Sequence, residues 1–144
     1  LRIEKGLFVP GFEADGRTGP YDLGLERMLS TKKDFVGKAV LQARAGYRPY
    51  GRQLVGILAQ DSRQEIPVGA QLLQPADTSR SIGVVTSVTF SPVLNRWVAL
   101  VLVENGQALI GQPLLASAPL DGASCPVTVQ APVFIDPEGV RLRA

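Results

Sequence analysis

Beyond residue 50 the chain alternates between short hydrophobic runs and turns made of glycine, proline and polar residues. Six runs rich in Val, Ile and Leu predict strands at residues 53–58, 71–73, 82–89, 97–103, 113–116 and 127–133. Closure into a barrel hides the unpaired edges that so many short strands would otherwise leave. We therefore predict a mainly β fold with a six-stranded Greek-key-like barrel over residues 51–144.

The first 50 residues have a mixed pattern, and we expect them to form a short α+β segment ahead of the barrel. Residues 1–9 alternate like a strand that ends at Pro10. Asp22 is suited to cap a short helix, and a second helix is predicted over residues 37–45.

A linker is predicted at residues 46–51, where glycine, proline and tyrosine interrupt the helical pattern. The chain is thereby divided into two predicted units, residues 1–50 and residues 51–144. Because residue 1 is Leu and the first six residues already alternate like an interior strand, we expect a distal piece of a larger protein.

One tight turn is predicted inside the barrel. Asn105 and Gly106 lie between the apolar positions Val103 and Ala108, and an Asn-Gly pair tolerates the positive φ angles of a type I′ turn. The pattern therefore predicts a hairpin that joins strand 97–103 to a partner beginning near Ala108.

Composition limits the classes of function. The 144 residues are 45% hydrophobic, which is enough for one good core. Fifteen basic and thirteen acidic residues leave a net charge of +2 without a basic stripe, so nothing requires nucleic acid or a membrane as partner. No apolar run reaches about 18 residues, and we expect a soluble, cytoplasmic protein.

The absence of histidine and the single cysteine argue against a self-contained triad hydrolase or zinc enzyme. Cys125 has no histidine to activate it and begins an apolar run, so a buried structural thiol is expected. We predict no catalytic residue and no metal site within this chain. In residues 86–92, closely spaced hydroxyls are expected to satisfy backbone groups where a strand bends.

Four segments occur in an order that is typical of one family: residues 1–6, the block 22–38, the loop 83–94 and the ending 132–139. The set resembles the folate-binding aminomethyltransferase (glycine-cleavage T-protein) family. Within it, the Pro-Val-Phe-x-Asp-Pro-Glu-Gly ending is most similar to the C-terminal end of sarcosine oxidase alpha-type subunits. The resemblance covers nearly the whole chain but only about the last third of the family's folate domain.

The resemblance implies that residues 1–50 are the C-terminal remnant of the folate-binding domain and residues 51–144 its C-terminal barrel. It implies a part of a larger oxidoreductase that captures a one-carbon unit on tetrahydrofolate, as 5,10-methylenetetrahydrofolate, while sarcosine is oxidatively demethylated to glycine. The flavin and NAD sites and the family's catalytic Asp would lie outside this chain, so the fragment alone is expected to be inactive.

Glu4 is the first candidate for the folate site. A carboxylate offers only acceptors, and the ring N–H and amino group of a pterin offer two adjacent donors that fit it edge to edge. The residues alone favour an exposed strand glutamate that faces Lys5 or Arg2. The resemblance implies instead that Glu4 holds the pterin ring.

Lys33 is the second candidate. With Lys32 it could neutralise the glutamate tail of folate, although the residues alone favour two solvated lysines ahead of Asp34. The matching segment of the family supplies an Arg, and Lys lacks its planar fork, so a weaker contact is expected. Ile135 stands where relatives commonly have Tyr, which removes an aromatic hydroxyl from the same region.

Several alternatives stay open. The chain could belong to an aminomethyltransferase or a dimethylglycine dehydrogenase, or it could be a non-catalytic barrel for subunit assembly, which Lys33 and Ile135 favour and Glu4 opposes. An oligonucleotide-binding barrel would need exposed aromatic residues in a basic groove. The expected partners are the N-terminal part of the same subunit and other sarcosine oxidase subunits, with a homodimer expected if residues 7–9 are left uncovered.

Overall fold

The computed structural model describes residues 1–45 and 51–143, and its main element is a set of six antiparallel strands. The strands are β1 (Arg52–Ala59), β2 (Gln71–Gln74), β3 (Asp77–Ser91), β4 (Arg96–Glu104), β5 (Pro113–Ala118) and β6 (Ala123–Gln130). One helix, α1 (Lys38–Ala45), precedes them, and single turns of 3-10 helix lie at Glu26–Met28, Gly106–Leu109, Pro119–Asp121 and Val140–Leu142. All six predicted strands are present.

The strands close into a barrel in the order β1-β4-β3-β2-β5-β6, and β6 pairs with β1 to complete it. Strands β2, β3 and β4 are neighbours in the sheet and follow one another along the chain as hairpins. Strand β1 lies beside β4, and a long connection leads from β1 across to β2. This arrangement is a Greek key. The predicted mainly β fold with a six-stranded Greek-key-like barrel is confirmed.

Strand β4 is buried on both faces, which explains why residues 97–103 form an almost continuous apolar run. Ala99, Val101 and Val103 point into the barrel core. The alternate residues belong to a second cluster outside the barrel, the outer cluster: Leu54, Val98, Leu100 and Leu102 of the barrel, with Ile3 and the half-buried Phe8 and Phe134 packed on them. The N-terminal segment therefore covers the outside of β1 and β4.

Residues 1–6 form a tight turn, so the predicted strand there is wrong. The amide of Gly6 donates to the carbonyl of Ile3 at 2.9 Å, and the amide of Leu7 donates to the carbonyl of Arg2 at 3.1 Å. The hydrophobic alternation has another cause, because Ile3 enters the outer cluster while Leu1 is exposed. Gly6 has a φ of 67°, and a Cβ there would lie 2.7 Å from the carbonyl oxygen of Pro132.

The helix predicted after Asp22 is reduced to the 3-10 turn at Glu26–Met28. The Asp22 carboxylate accepts a hydrogen bond from the amide of Gly19 at 2.8 Å, upstream of that turn. The helix predicted over residues 37–45 is confirmed as α1. Residues 46–50 of the predicted linker lie outside the described residues, and the division of the chain there stays a prediction.

The predicted hairpin at Asn105 and Gly106 is wrong. Asn105 has the positive φ that was expected, 53°, but Gly106 begins a 3-10 turn instead of a strand. Gly106 sits against the barrel end, where an added Cβ would lie 2.9 Å from Val55 Cγ1. Strand β4 pairs with β1 and β3, so the chain after it crosses to β5 between β2 and β6.

Candidate functional site

Three of the four segments that carry the family resemblance meet at Glu4. Its backbone carbonyl accepts hydrogen bonds from the amides of Phe134 at 2.9 Å and Ile135 at 3.1 Å. Its Oε1 accepts a hydrogen bond from the hydroxyl of Ser91, the last residue of β3, at 2.5 Å. The turn 1–6, the hydroxyl-rich end of β3 and the C-terminal segment 132–139 are thus joined through one residue.

The Glu4 side chain is buried, with 7% of the residue exposed, and it is held as a carboxylate. The hydrogen bond from Ser91 is the largest cause that lowers the pKa of Glu4, and desolvation opposes it. The amino nitrogen of Leu1, 3.2 Å from Oε2, adds to the lowering. The Leu1 ammonium is present only if Leu1 is the N-terminal residue. The hydrogen bond from Ser91 does not depend on that condition, and it is therefore the contact on which the low pKa of Glu4 rests.

The alternative of an exposed Glu4 that faces Lys5 or Arg2 is wrong. Lys5 turns to the C-terminal segment, where its Nζ donates to the carbonyl of Asp136 at 2.7 Å and lies 3.4 Å from the Asp136 carboxylate. Arg2 donates to the carbonyl of Leu7 and to the hydroxyl of Ser87. Both cations therefore fix the segment on either side of Glu4.

Lys33 lies in an exposed loop ahead of α1. Its amide donates to the Ser30 hydroxyl at 2.9 Å, and Lys38 Nζ donates to its carbonyl at 2.7 Å. Among the described residues, no hydrogen bond or ion pair joins the Lys33 ammonium to Glu4. The structure does not bring the two candidates into contact, and the role of Lys33 stays a prediction.

A second buried carboxylate, Glu13, was not found from the sequence. It is fully buried, its Oε2 accepts from the amide of Val9 at 2.8 Å, and its Oε1 accepts from the Ser87 hydroxyl. The Thr86 hydroxyl lies 2.7 Å from the same Oε1 and 2.9 Å from the carbonyl of Leu100, and its single proton serves one of them at a time. These contacts attach the N-terminal segment to β3 a second time.

The pKa of Glu13 is lowered despite burial. Desolvation is the largest influence and raises the pKa, but the hydrogen bonds from Ser87, Val9 and Thr86 outweigh it. The guanidinium of Arg2, 3.7 Å from Oε2, also lowers it. Glu13 is therefore an ionised, internally paired group at neutral pH.

The hydroxyls of residues 86–92 satisfy backbone groups at a bend in β3, as predicted. The β3–β4 register shifts between Val85 and Ser87, which places a bulge at Thr86, where its hydroxyl reaches the Leu100 carbonyl. At the other end, the Ser91 hydroxyl accepts from the amide of Leu94 at 3.2 Å. The same hydroxyls also contact the two buried carboxylates, which the sequence did not indicate.

An open groove of about 690 Å³ lies beside this region, between the N-terminal segment and β1. Its walls are mixed, with Phe8, Leu23 and Leu54 among the apolar residues and Gln53 and Gln107 among the polar ones. Glu4 does not line it. The groove is thus separate from the carboxylate that the family resemblance singles out.

Cys125 is the buried thiol that was expected. Burial, with a smaller contribution from the charge of Asp61, raises its pKa to about 11. At pH 8 only about one thiol in a thousand is then the reactive thiolate.

We expect Cys125 to resist iodoacetamide in the native protein and to react when the protein is unfolded in concentrated urea. Stoichiometric labelling of the folded protein within minutes, followed by mass spectrometry, would contradict this.

Within residues 1–45 and 51–143, no helix is long and apolar enough to cross a membrane. In the same residues, no group of three or more His, Cys, Asp or Glu side chains could hold a metal ion.

Comparisons with known proteins agree with this arrangement. The family model of the glycine cleavage T-protein C-terminal barrel domain matches residues 52–136. Sarcosine oxidase subunit alpha of Rhizobium meliloti is 40% identical over 146 residues, covering 99% of this chain and 15% of the relative. An aminomethyltransferase of Nostoc sp. is 36% identical over 116 residues, covering 79% of this chain and 30% of the relative.

A solved structure supports the fold. Aminomethyltransferase T of the glycine cleavage system from Bartonella henselae superposes with a TM-score of 0.80 at 28% identity, over 94% of this chain and 37% of that one. The chain spans about 15% of the length of the sarcosine oxidase alpha subunits that it matches. The resemblance seen in the sequence is confirmed, and the chain belongs to the glycine cleavage T-protein family, whose C-terminal barrel domain it contains.

Proposed function

We propose that this chain is the C-terminal folate-binding region of a sarcosine oxidase alpha-type subunit. The whole enzyme oxidatively demethylates sarcosine to glycine, and this region helps to bind the tetrahydrofolate that takes up the one-carbon unit as 5,10-methylenetetrahydrofolate. The similarity to sarcosine oxidase alpha subunits over 99% of the chain and to aminomethyltransferases supports this assignment.

The observation that carries the proposal is the meeting of three segments at Glu4. The carboxylate is ionised and fixed by Ser91, and its backbone is bound to Phe134 and Ile135. A carboxylate has about four lone-pair positions; Ser91 uses one on Oε1, and the Leu1 ammonium lies 3.2 Å from Oε2. Glu4 therefore has the acceptors that the two adjacent donors of a pterin require, and little freedom to turn away from them.

Tetrahydrofolate supplies, when bound, the two nitrogen atoms that take up the one-carbon unit. Glu4 is proposed to hold the pterin ring, and Lys33, whose ammonium is exposed, to attract the carboxylates of the glutamate tail. Ile135 provides a backbone amide to Glu4 but no hydroxyl. The amine oxidation itself belongs to parts of the enzyme outside this chain.

The enzyme is further proposed to be cytoplasmic, with the remainder of the same subunit and other sarcosine oxidase subunits as partners. The relatives' designation as subunit alpha supports a multi-subunit assembly. A homodimer of the fragment through residues 7–9 stays a prediction; Leu7 is exposed, whereas Phe8 and Val9 are half-buried.

In the intact enzyme, we expect Glu4→Gln to weaken tetrahydrofolate binding by about 2 kcal/mol, or about 30-fold in Kd. Glutamine keeps the size of the side chain but presents a donor to a donor of the pterin. Isothermal titration calorimetry measures the loss directly. Glu65→Gln, an exposed carboxylate in the loop after β1, is the matched control and should bind normally.

Two results would argue against this function. If the unmodified enzyme does not bind tetrahydrofolate at all, the barrel is retained for subunit assembly and the folate assignment fails. If it binds, and Glu4→Gln and Glu65→Gln bind equally well, the pterin is held elsewhere.

A further inference from the structure

We propose that Glu13 is a positioning residue for the folate site: its buried carboxylate fixes the segment of residues 1–9 on β3 and so sets where Glu4 is held. The inference rests on the proposed folate role of Glu4. Glu13 contacts neither the proposed ligand nor Glu4. It is proposed to act on Glu4 through the segment of residues 1–9 that it holds in place.

Glu13 connects the Val9 end of this segment to the barrel. Its Oε2 accepts from the amide of Val9 at 2.8 Å, and its Oε1 accepts from the hydroxyl of Ser87 on β3. The carbonyl of Val9 in turn accepts from the amides of Phe12 and Glu13, both at 3.2 Å. Since Glu13 is fully buried, water cannot replace these partners, and the segment has one bonded arrangement at this end.

Arg2 transmits this arrangement to the turn that contains Glu4. Its Nη2 donates to Ser87 at 2.9 Å, its Nη1 donates to the carbonyl of Leu7 at 2.9 Å, and Nη1 lies 3.7 Å from Glu13 Oε2. The amide of Leu7 donates to the carbonyl of Arg2 at 3.1 Å, which closes the turn around Glu4. If Glu13 loses its charge, Arg2 loses its counter-ion and keeps its hydrogen bonds to Ser87 and Leu7, which weakens the attachment of the turn to β3 at this end.

Ser91 is the second point at which β3 holds the N-terminal segment, and the spacing of the two serines sets the position of the segment along β3. From Ser87 to Ser91 the β3–β4 pairing is regular, so the two side chains share a face of β3. At about 3.3 Å per residue, they are about 13 Å apart. Ser87 donates to Glu13 and Ser91 donates to Glu4. Two points of attachment so far apart on β3 fix how the segment lies along the strand, in addition to the bonds that Glu4 and Lys5 make with the C-terminal segment.

A double-mutant cycle in the full-length enzyme tests this role. Tetrahydrofolate Kd is measured for Glu13→Gln, Glu4→Gln and the double variant, with thermal unfolding followed in parallel. We expect Glu13→Gln to raise Kd about tenfold when Glu4 is present, because a misplaced contact group loses much of its effect. When Glu4 is already Gln, the same change should raise Kd less than about twofold. The thermal destabilisation should be equal in both backgrounds.

The outcomes separate the two proposals. An equal rise of Kd in both backgrounds would show that Glu13 supports the fold alone and would overturn the positioning role. Normal binding by Glu13→Gln, with weakened binding by Glu4→Gln, would overturn it while leaving the folate assignment intact. No effect of Glu4→Gln would overturn both. If Glu13→Gln does not fold, the milder Ser87→Ala replaces it in the same cycle, with the same non-additivity expected.

Discussion

Gly83→Ala is expected to lower the free energy of unfolding by about 3 kcal/mol, although it adds a single methyl group. Gly83 is buried in β3 between β2 and β4, and its partners in the two ladders are Leu72 and Val103. A Cβ at this position would lie 2.6 Å from the carbonyl oxygen of Leu102 and 2.8 Å from Val103 Cα. Backbone atoms of a central strand cannot move aside as the end of a flexible side chain can, so the strands must separate.

Urea denaturation checks this prediction, with Gly16→Ala as the control. Gly16 lacks a positive φ, and a Cβ there would meet nothing within 4 Å. The control should keep its denaturation midpoint, and Gly83→Ala should shift to lower urea with an unchanged slope. Identical midpoints for the two variants would show that β3 and β4 spread at little cost.

The strands could be predicted because each depends on its own composition. Short runs of Val, Ile and Leu between turn residues predict strands wherever those strands finally pair. The beginning of β3 was missed for the same reason. Its first residues, from Asp77 to Ser81, are polar and mostly exposed, yet they extend the strand that pairs with β2. Pairing of the backbone leaves no mark in the hydrophobic pattern.

The pairing partners could not be predicted, because they depend on distant segments. An Asn-Gly pair commonly makes a hairpin, but here Gly106 packs against Val55 and Val103 at the end of the barrel. The amide of Gln107 then donates to Gln53 Oε1 at 2.9 Å, which directs the chain toward β5. A local turn signal was overridden by contacts with residues about fifty positions away.

Of the two buried carboxylates, Glu4 could be singled out from the sequence and Glu13 could not. Glu4 was singled out by the family resemblance; its carboxylate is buried and hydrogen-bonded to Ser91, and its folate role stays a prediction. Glu13 lies in a turn-rich stretch next to Phe12, which is exposed, and its hydroxyl partners are more than seventy residues away. The hydroxyls that hold Glu13 can be read in residues 86–91 of the sequence, but nothing in the sequence shows which distant carboxylate they contact.

The stability of the protein is expected to depend on pH through Glu13. The hydrogen bonds from Ser87, Val9 and Thr86 and the charge of Arg2 outweigh desolvation and place the folded-state pKa of Glu13 below its ordinary value of 4.5. A carboxyl with a lowered folded pKa contributes stability that is fully present above the unfolded pKa and is lost as the pH falls through the folded pKa. Glu13 should therefore stabilise the protein at neutral pH and cease to do so in acid.

Glu13→Gln removes this contribution while keeping the shape of the side chain. We expect it to lower the free energy of unfolding by about 3 kcal/mol at pH 7, because Arg2 and the buried hydroxyls lose a charged acceptor. The difference from the unmodified protein should shrink steadily below pH 4.5. Urea unfolding from pH 7 to pH 3 measures both curves, with exposed Glu65→Gln as the control that follows the unmodified protein throughout. Parallel curves for Glu13→Gln and the unmodified protein would contradict this prediction. They would mean that Glu13 carries the same charge in the folded and unfolded states at each pH. The Glu13 side chain, between Val9 and Ser87, would then contribute to stability through its packing alone.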